Sequence, residues 1–182
     1  LFYFLLIGFG FLALEMSLMQ RFTLLMGDPL LAAAAVLSGF LFFSGCGSLC
    51  SQRWMATPLK AIAVSGLAIA LLAPLVLFLS QSLLGFVASW STAGRFVFAI
   101  SLLAPLAFLM GWPFPLGMSL LEKSSPPLLA WAWGINGFAS VATAPLTVLL
   151  AMSAGFRLVF ALAVMAYFLA VVLGLRVWRP VD

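Results

Sequence analysis

The chain has 182 residues, of which 66% are apolar and only 7% charged, with 18 Phe, 6 Trp and 8 Met. Soluble domains are roughly half apolar and about a quarter charged, so eight basic and four acidic side chains cannot coat a water-soluble globule of this length. The net charge of +4 comes from basic residues scattered singly, which leaves no nucleic-acid patch and no disordered segment. With no His at all, His-based acid–base catalysis and His metal sites are excluded.

Apolar run length predicts an all-α polytopic integral membrane helix bundle in one membrane domain, since six spans of ~20 residues fit this chain. The first span covers about residues 2–26 and is interrupted by Glu15, Gln20 and Arg21; the turn Gly27-Asp28-Pro29 ends it. The others run over about residues 30–49, 61–79, 96–112, 128–150 and 158–177. Residues 80–94 read as an interfacial segment anchored by Trp90, and the short fourth span ends in a proline-rich break. The chain opens at Leu1 inside an apolar run, with neither a basic n-region nor a cleavage site. It therefore reads as a piece of a longer protein cut on the N-terminal side, with Arg176 to Asp182 as a natural basic end. No internal repeat rises above chance.

Loops on the side shared with the C-terminus carry five basic residues, Arg53, Lys60, Lys123, Arg176 and Arg179; the opposite side carries three, Arg21, Arg95 and Arg157. The positive-inside rule then places the C-terminus in the cytoplasm. Cys46 and Cys50 share a helix face and, with no further ligand, read as small packing residues.

Glu15 is the most informative residue, because an acid near mid-span costs about 2.5–3.5 kcal/mol on insertion scales and should face the bundle interior. Arg21 is six residues on, about 120° around the helix, so it does not face Glu15, and a partner must come from another helix or from water. Arg21 itself reads as an interfacial anchor, with a bridge to Asp28 as the alternative. Asn136, Ser140 and Thr143 form one stripe on the fifth span, and Gly134, Gly137 and Ala144 beside it would allow tight helix approach. Asn136 is a candidate partner for Glu15. Pro74, Pro105 and Pro145 interrupt three spans and free the carbonyls of Ala70, Ser101 and Val141, a pointer to a pathway or to ordinary kinks. No phosphate loop, nucleophile elbow or catalytic constellation is present.

Several stretches together carry a resemblance: Leu14-Glu15, Gln20-Arg21-Phe22, Gly27-Asp28-Pro29 and Ser44 to Ser48, then Met110 to Gly117 and Trp131 to Gly137. In order and spacing they resemble the membrane part of multi-pass bacterial spermidine synthase-like proteins, which are S-adenosylmethionine-dependent transferase-like. The resemblance covers most of the chain, and its most specific pieces are the break with Pro113 and Pro115 and the stretch with Trp133, Gly134, Asn136 and Gly137. One departure is Asp28, where that pattern has His before the proline. The resemblance implies a bacterial inner-membrane protein whose partners are the bilayer and a soluble S-adenosylmethionine-binding domain of the same longer protein. It implies no cofactor, metal or catalytic residue within this chain.

On its own physics the stretch Trp112 to Gly117 is expected to be extended, since two prolines one residue apart oppose helix continuation. It would serve as a rigid docking corner or a plain connector. The leading expectation is thus a membrane domain that tethers or serves a cytoplasmic transferase-like domain. The competing one is half of a small-solute transporter, with a buried polar site around Glu15 and with Arg157 flanking the path.

Overall fold

A computed structural model of the chain describes residues 1–178; Arg179 and the end through Asp182 lie outside the described residues. The described residues form helices and no strand. The long helices are α1 (Phe2–Met26), α2 (Pro29–Ser51), α3 (Pro58–Ser82), α5 (Thr92–Met110), α7 (Leu129–Ala154) and α8 (Phe156–Val177); α4 (Leu84–Val87) and α6 (Pro113–Ser124) are short. Six helical segments are long and apolar enough to cross a bilayer, so the chain is a multi-pass membrane bundle. Large apolar side chains such as Leu41, Phe42, Phe138 and Met152 cover its outside, as lipid-facing surface requires.

Local chemistry explains where the helices break. Gly27 takes a left-handed conformation (φ 71°) that ends α1, and its N–H returns to the Thr23 carbonyl. Asp28 then caps α2: its carboxylate accepts from the N–H of Leu30 at 2.7 Å and of Leu31 at 3.1 Å, with Pro29 at the first helical position. Gly155 (φ 81°) is the single residue between α7 and α8. Pro74, Pro105 and Pro145 all lie inside helices that continue through them.

One expectation is corrected. The Trp112 to Gly117 stretch is not extended: α6 begins at Pro113. Both prolines fall in its first turn, where the missing N–H has no intrahelical acceptor to lose. In residues 80–94, α3 runs to Ser82, the one-turn α4 follows, and Ser91 caps α5 by accepting from the Gly94 N–H at 3.2 Å. Trp90 does pack there, edge-on to Phe86 and Phe98.

α1 is the axis of the bundle, packed against α2, α7 and α8 and reached also by α5, α3 and α6. Its neighbours follow one another as α7, α8, α3, α5 and α2, but α2 and α7 do not close on each other. The ring is therefore open along one seam. At one end of the bundle, the terminal end, the Tyr3 hydroxyl donates to the Pro113 carbonyl at 2.7 Å and its ring meets Trp178 edge-on at 5.2 Å. At the opposite, distal end, Arg95 at the start of α5 donates to the Met26 carbonyl at 3.1 Å.

The tightest crossing is between α2 and α5, which run parallel. A Cβ at Gly47 would strike the Phe108 carbonyl, and one at Gly111 would strike the Ser44 carbonyl. Backbone lies against backbone, so no rotamer change can relieve a side chain there. Gly111→Val is therefore expected to destabilise the bundle by about 3 kcal/mol, whereas Gly45→Val, which meets nothing within 4 Å, should be tolerated. Unfolding of both variants in detergent, followed by circular dichroism, checks this; equal stabilities would refute the crossing.

Candidate functional site

The open seam between α2 and α7 is occupied by a cavity of about 450 Å³ toward the terminal end. Its back wall is α1 at Ile7, Gly8 and Phe11; α2 contributes Ser44 and Ser48, α7 contributes Asn136 and Ser140, and Tyr167 of α8 is also in the lining. Met110, Pro113, Phe114 and Pro115 close it at the α5–α6 corner. Ser48, Phe114 and Pro115 also line a second hollow of about 460 Å³, which brings in Met55, Met118, Ser119, Glu122 and Trp133. The two cavities are thus neighbours across these shared walls. Among the described residues no ionisable group other than Tyr167 lines the inner cavity, so its chemistry is that of an apolar pocket with a few hydroxyls and one amide.

Two hydrogen bonds fix the α7 wall. Asn136 Nδ2 donates to the Phe4 carbonyl at 3.0 Å, and the Ser140 hydroxyl lies 3.0 Å from the Asn136 carbonyl and 3.5 Å from that of Gly8. The two helices approach so closely that a Cβ on Gly8 would stand 2.7 Å from the Asn136 carbonyl oxygen. Asn136 and Ser140 of the predicted stripe thus face α1; Thr143 is buried and returns its hydroxyl to the Ala139 carbonyl at 2.6 Å.

The expected pairing of Asn136 with Glu15 does not form. α1 and α7 are parallel, and both interhelical bonds span an offset of 132 residues. That register puts Asn136 level with Phe4, eleven residues or about 16 Å along α1 from Glu15. Glu15 is nonetheless interior, at 7% exposure, as its position in the span predicts. The same offset brings Thr147 level with Glu15. Thr147 continues the α1-facing stripe, is fully buried, and its hydroxyl has no hydrogen-bond partner. Sequence reasoning stopped at Thr143; extending the four–three spacing by one more turn would have found it.

Gly134 and Gly137 are corrected as packing residues. A Cβ at either would meet nothing within 4 Å, and both are exposed. They lie beside the Asn136 stripe, and once that stripe faces α1 they face outward. The glycines that do admit close neighbours are Gly8, Gly10, Gly47, Gly66, Gly111 and Gly117. Trp133 is also outward, its ring edge-on to Phe114 at 4.8 Å. Cys46 and Cys50 are free and half-buried.

At the distal end Arg21 pairs with nothing on Asp28, whose carboxylate is committed to capping α2. Arg21 instead shares a cavity of about 230 Å³ with Arg157 of α8, together with Ser17, Gln20 and Gln81. No protein-family model, no curated protein and no solved structure matches this chain.

The α7 wall gives two contrasting expectations. Asn136→Leu removes an interhelical bond and should cost about 1 kcal/mol. Thr147→Val replaces an unpartnered buried hydroxyl by a methyl of the same shape and should be neutral or stabilising, by up to about 1 kcal/mol. Detergent unfolding of the two variants checks both, and a loss at Thr147→Val as large as at Asn136→Leu would mean the hydroxyl is bonded.

Proposed function

We propose that this chain is the membrane domain of a transferase-like protein, and that it holds a lipid-soluble, weakly polar acceptor for a soluble domain seated at the terminal end. The observation that carries this reading is the convergence of the resembling stretches. Pro113, Phe114, Pro115, Trp133 and Asn136, together with Ser44 and Ser48, line one cavity or its adjoining hollow, although they come from three separate parts of the chain. The seam between α2 and α7 offers entry from the bilayer, and the hollow beside α6 offers an exit toward the terminal surface. Tyr3, Phe4, Phe114 and Trp178 stack edge-on around the α5–α6 corner and make it rigid. A free polyamine fits the cavity poorly, because a polycation needs carboxylates and none among the described residues lines the interior. The acceptor is therefore better matched by a membrane-dissolved molecule with one hydroxyl or carbonyl. In this reading the protein lies in a bacterial inner membrane with the terminal end cytoplasmic, as the distribution of basic loops supports.

The complete open reading frame around Leu1 provides the first test, and a Gly-rich cofactor-binding domain in it is the expected result. In that full-length protein, a cysteine at Ser119 should crosslink to the soluble domain and one at Ser153, on the distal side, should not. Only further apolar spans in the reading frame, or equal crosslinking from both positions, would overturn the proposal.

A second reading is favoured by one specific arrangement. The two cavities lie toward opposite ends of the bundle, and Glu15 stands in the roughly 9 Å of α1 between Phe11 and Ser17. A solute path in a transporter half would have to pass this barrier. On that reading Glu15→Leu abolishes uptake while Arg21→Lys leaves most of it; equal effects in a vesicle uptake assay would remove Glu15 from the path.

A further inference from the structure

The distal cavity belongs to a longer feature. Phe160 lines both it and an apolar groove of about 450 Å³ between α3 and α8, walled by Ala70 and Pro74 on one side and Val164, Met165 and Phe168 on the other. α3 and α8 are antiparallel, so the groove runs from the arginine cavity toward the bilayer centre. From Arg157 to Phe168 is eleven residues, about 16 Å of helix, which is about half of a ~30 Å hydrocarbon core. The feature is thus one leaflet deep, charged at the surface and apolar below.

The charge at its mouth is uncompensated within the cavity. Arg21 and Arg157 line the same space, and among the described residues no carboxylate does. Of the acids among the described residues, Asp28 is occupied in capping α2, Glu122 lies in the hollow at the terminal end, and Glu15 lines neither this cavity nor the groove. Arg157 also sits in the first turn of the 22-residue α8, whose cap Gly155 supplies no side-chain acceptor, so the helix's positive end adds to the field. Two guanidiniums facing one cavity repel unless an anion lies between them, and their planar donors match the oxygens of a phosphate. Gln20, Gln81 and Ser17 add neutral polar groups for the rest of a headgroup.

We infer that the α1–α3–α8 seam at the distal end is a binding site for an anionic phospholipid, its phosphate between Arg21 and Arg157 and one acyl chain in the groove past Phe160 and Pro74. The apolar groove decides between a lipid and a free phosphate: a soluble anion would use only the mouth.

The test uses the full chain in phosphatidylcholine nanodiscs doped with phosphatidylglycerol, with retained lipid counted by native mass spectrometry after gentle release. Wild type should retain phosphatidylglycerol over phosphatidylcholine about tenfold, and R21Q/R157Q should lose that preference. Ala161, which lines the groove and is exposed, supplies an independent variant that leaves both arginines in place. A161W should lower phosphatidylglycerol retention while circular dichroism stays that of wild type. R21K/R157K keeps the charge without the fork and should retain an intermediate preference. No preference in wild type, or an unchanged one in R21Q/R157Q, overturns the site. Displacement of phosphatidylglycerol by inorganic phosphate together with wild-type retention in A161W would show a free-anion site and overturn the lipid assignment.

Discussion

An acidic side chain at the middle of a membrane span is costly wherever it meets lipid, and α1 carries one at Glu15 with Gln20 and Arg21 close behind. The bundle meets that constraint by surrounding α1 with helices, so that Glu15 is interior although α1 runs the full width of the membrane. The order of the other helices follows from this placement. α8 packs antiparallel and α7 parallel to the axis, and α2 and α5 form a tightly crossed pair beside it. What five neighbours fail to enclose is left as the seam between α2 and α7.

That seam is where packing and chemistry coincide. Gly8 lets α7 come close enough for Asn136 to reach the Phe4 carbonyl, which turns the polar stripe of α7 inward and its glycines outward. The α5–α6 corner then closes the cavity at the terminal end through Pro113 and Phe114, held by the Tyr3 hydroxyl. A bond between residues 110 positions apart thus ties the first turn of the chain to the proline corner. The two ends of the bundle differ in character as a result. At the terminal end aromatic rings stack beside an inner cavity whose walls carry no charged side chain among the described residues, while the cavity at the distal end is lined by Arg21 and Arg157.

The six spans were legible because an apolar run of about 20 residues has few other ways to satisfy its backbone in a bilayer. Expected residues 30–49, 61–79 and 128–150 became Pro29–Ser51, Pro58–Ser82 and Leu129–Ala154. The helices outrun the apolar segments because Pro29 and Pro58 suit a first helical turn and Ser51 and Ser82 sit in a last one. The Gly27-Asp28-Pro29 turn was equally readable, since a left-handed glycine, a capping carboxylate and a proline at the first helical position are all local chemistry. The corner at Trp112 was not, because proline opposes a helix interior but suits its first turn, and which of the two applies depends on where the helix begins.

Composition and run length alone determined that this chain is a helical bundle in a membrane, and that Glu15 must be turned inward; both follow from the cost of charge and unpaired backbone in hydrocarbon. Only the tertiary structure decided what each inward face would meet. Helices that are apolar all round carry little record of which side packs, so the spacing of Asn136, Ser140 and Thr143 could announce a stripe but not its partner. The parallel register of α1 and α7 gave Asn136 to Phe4 rather than to Glu15 and put Thr147 at the level of Glu15. The antiparallel packing of α8 then brought Arg157 into one cavity with Arg21, more than 130 residues away in sequence.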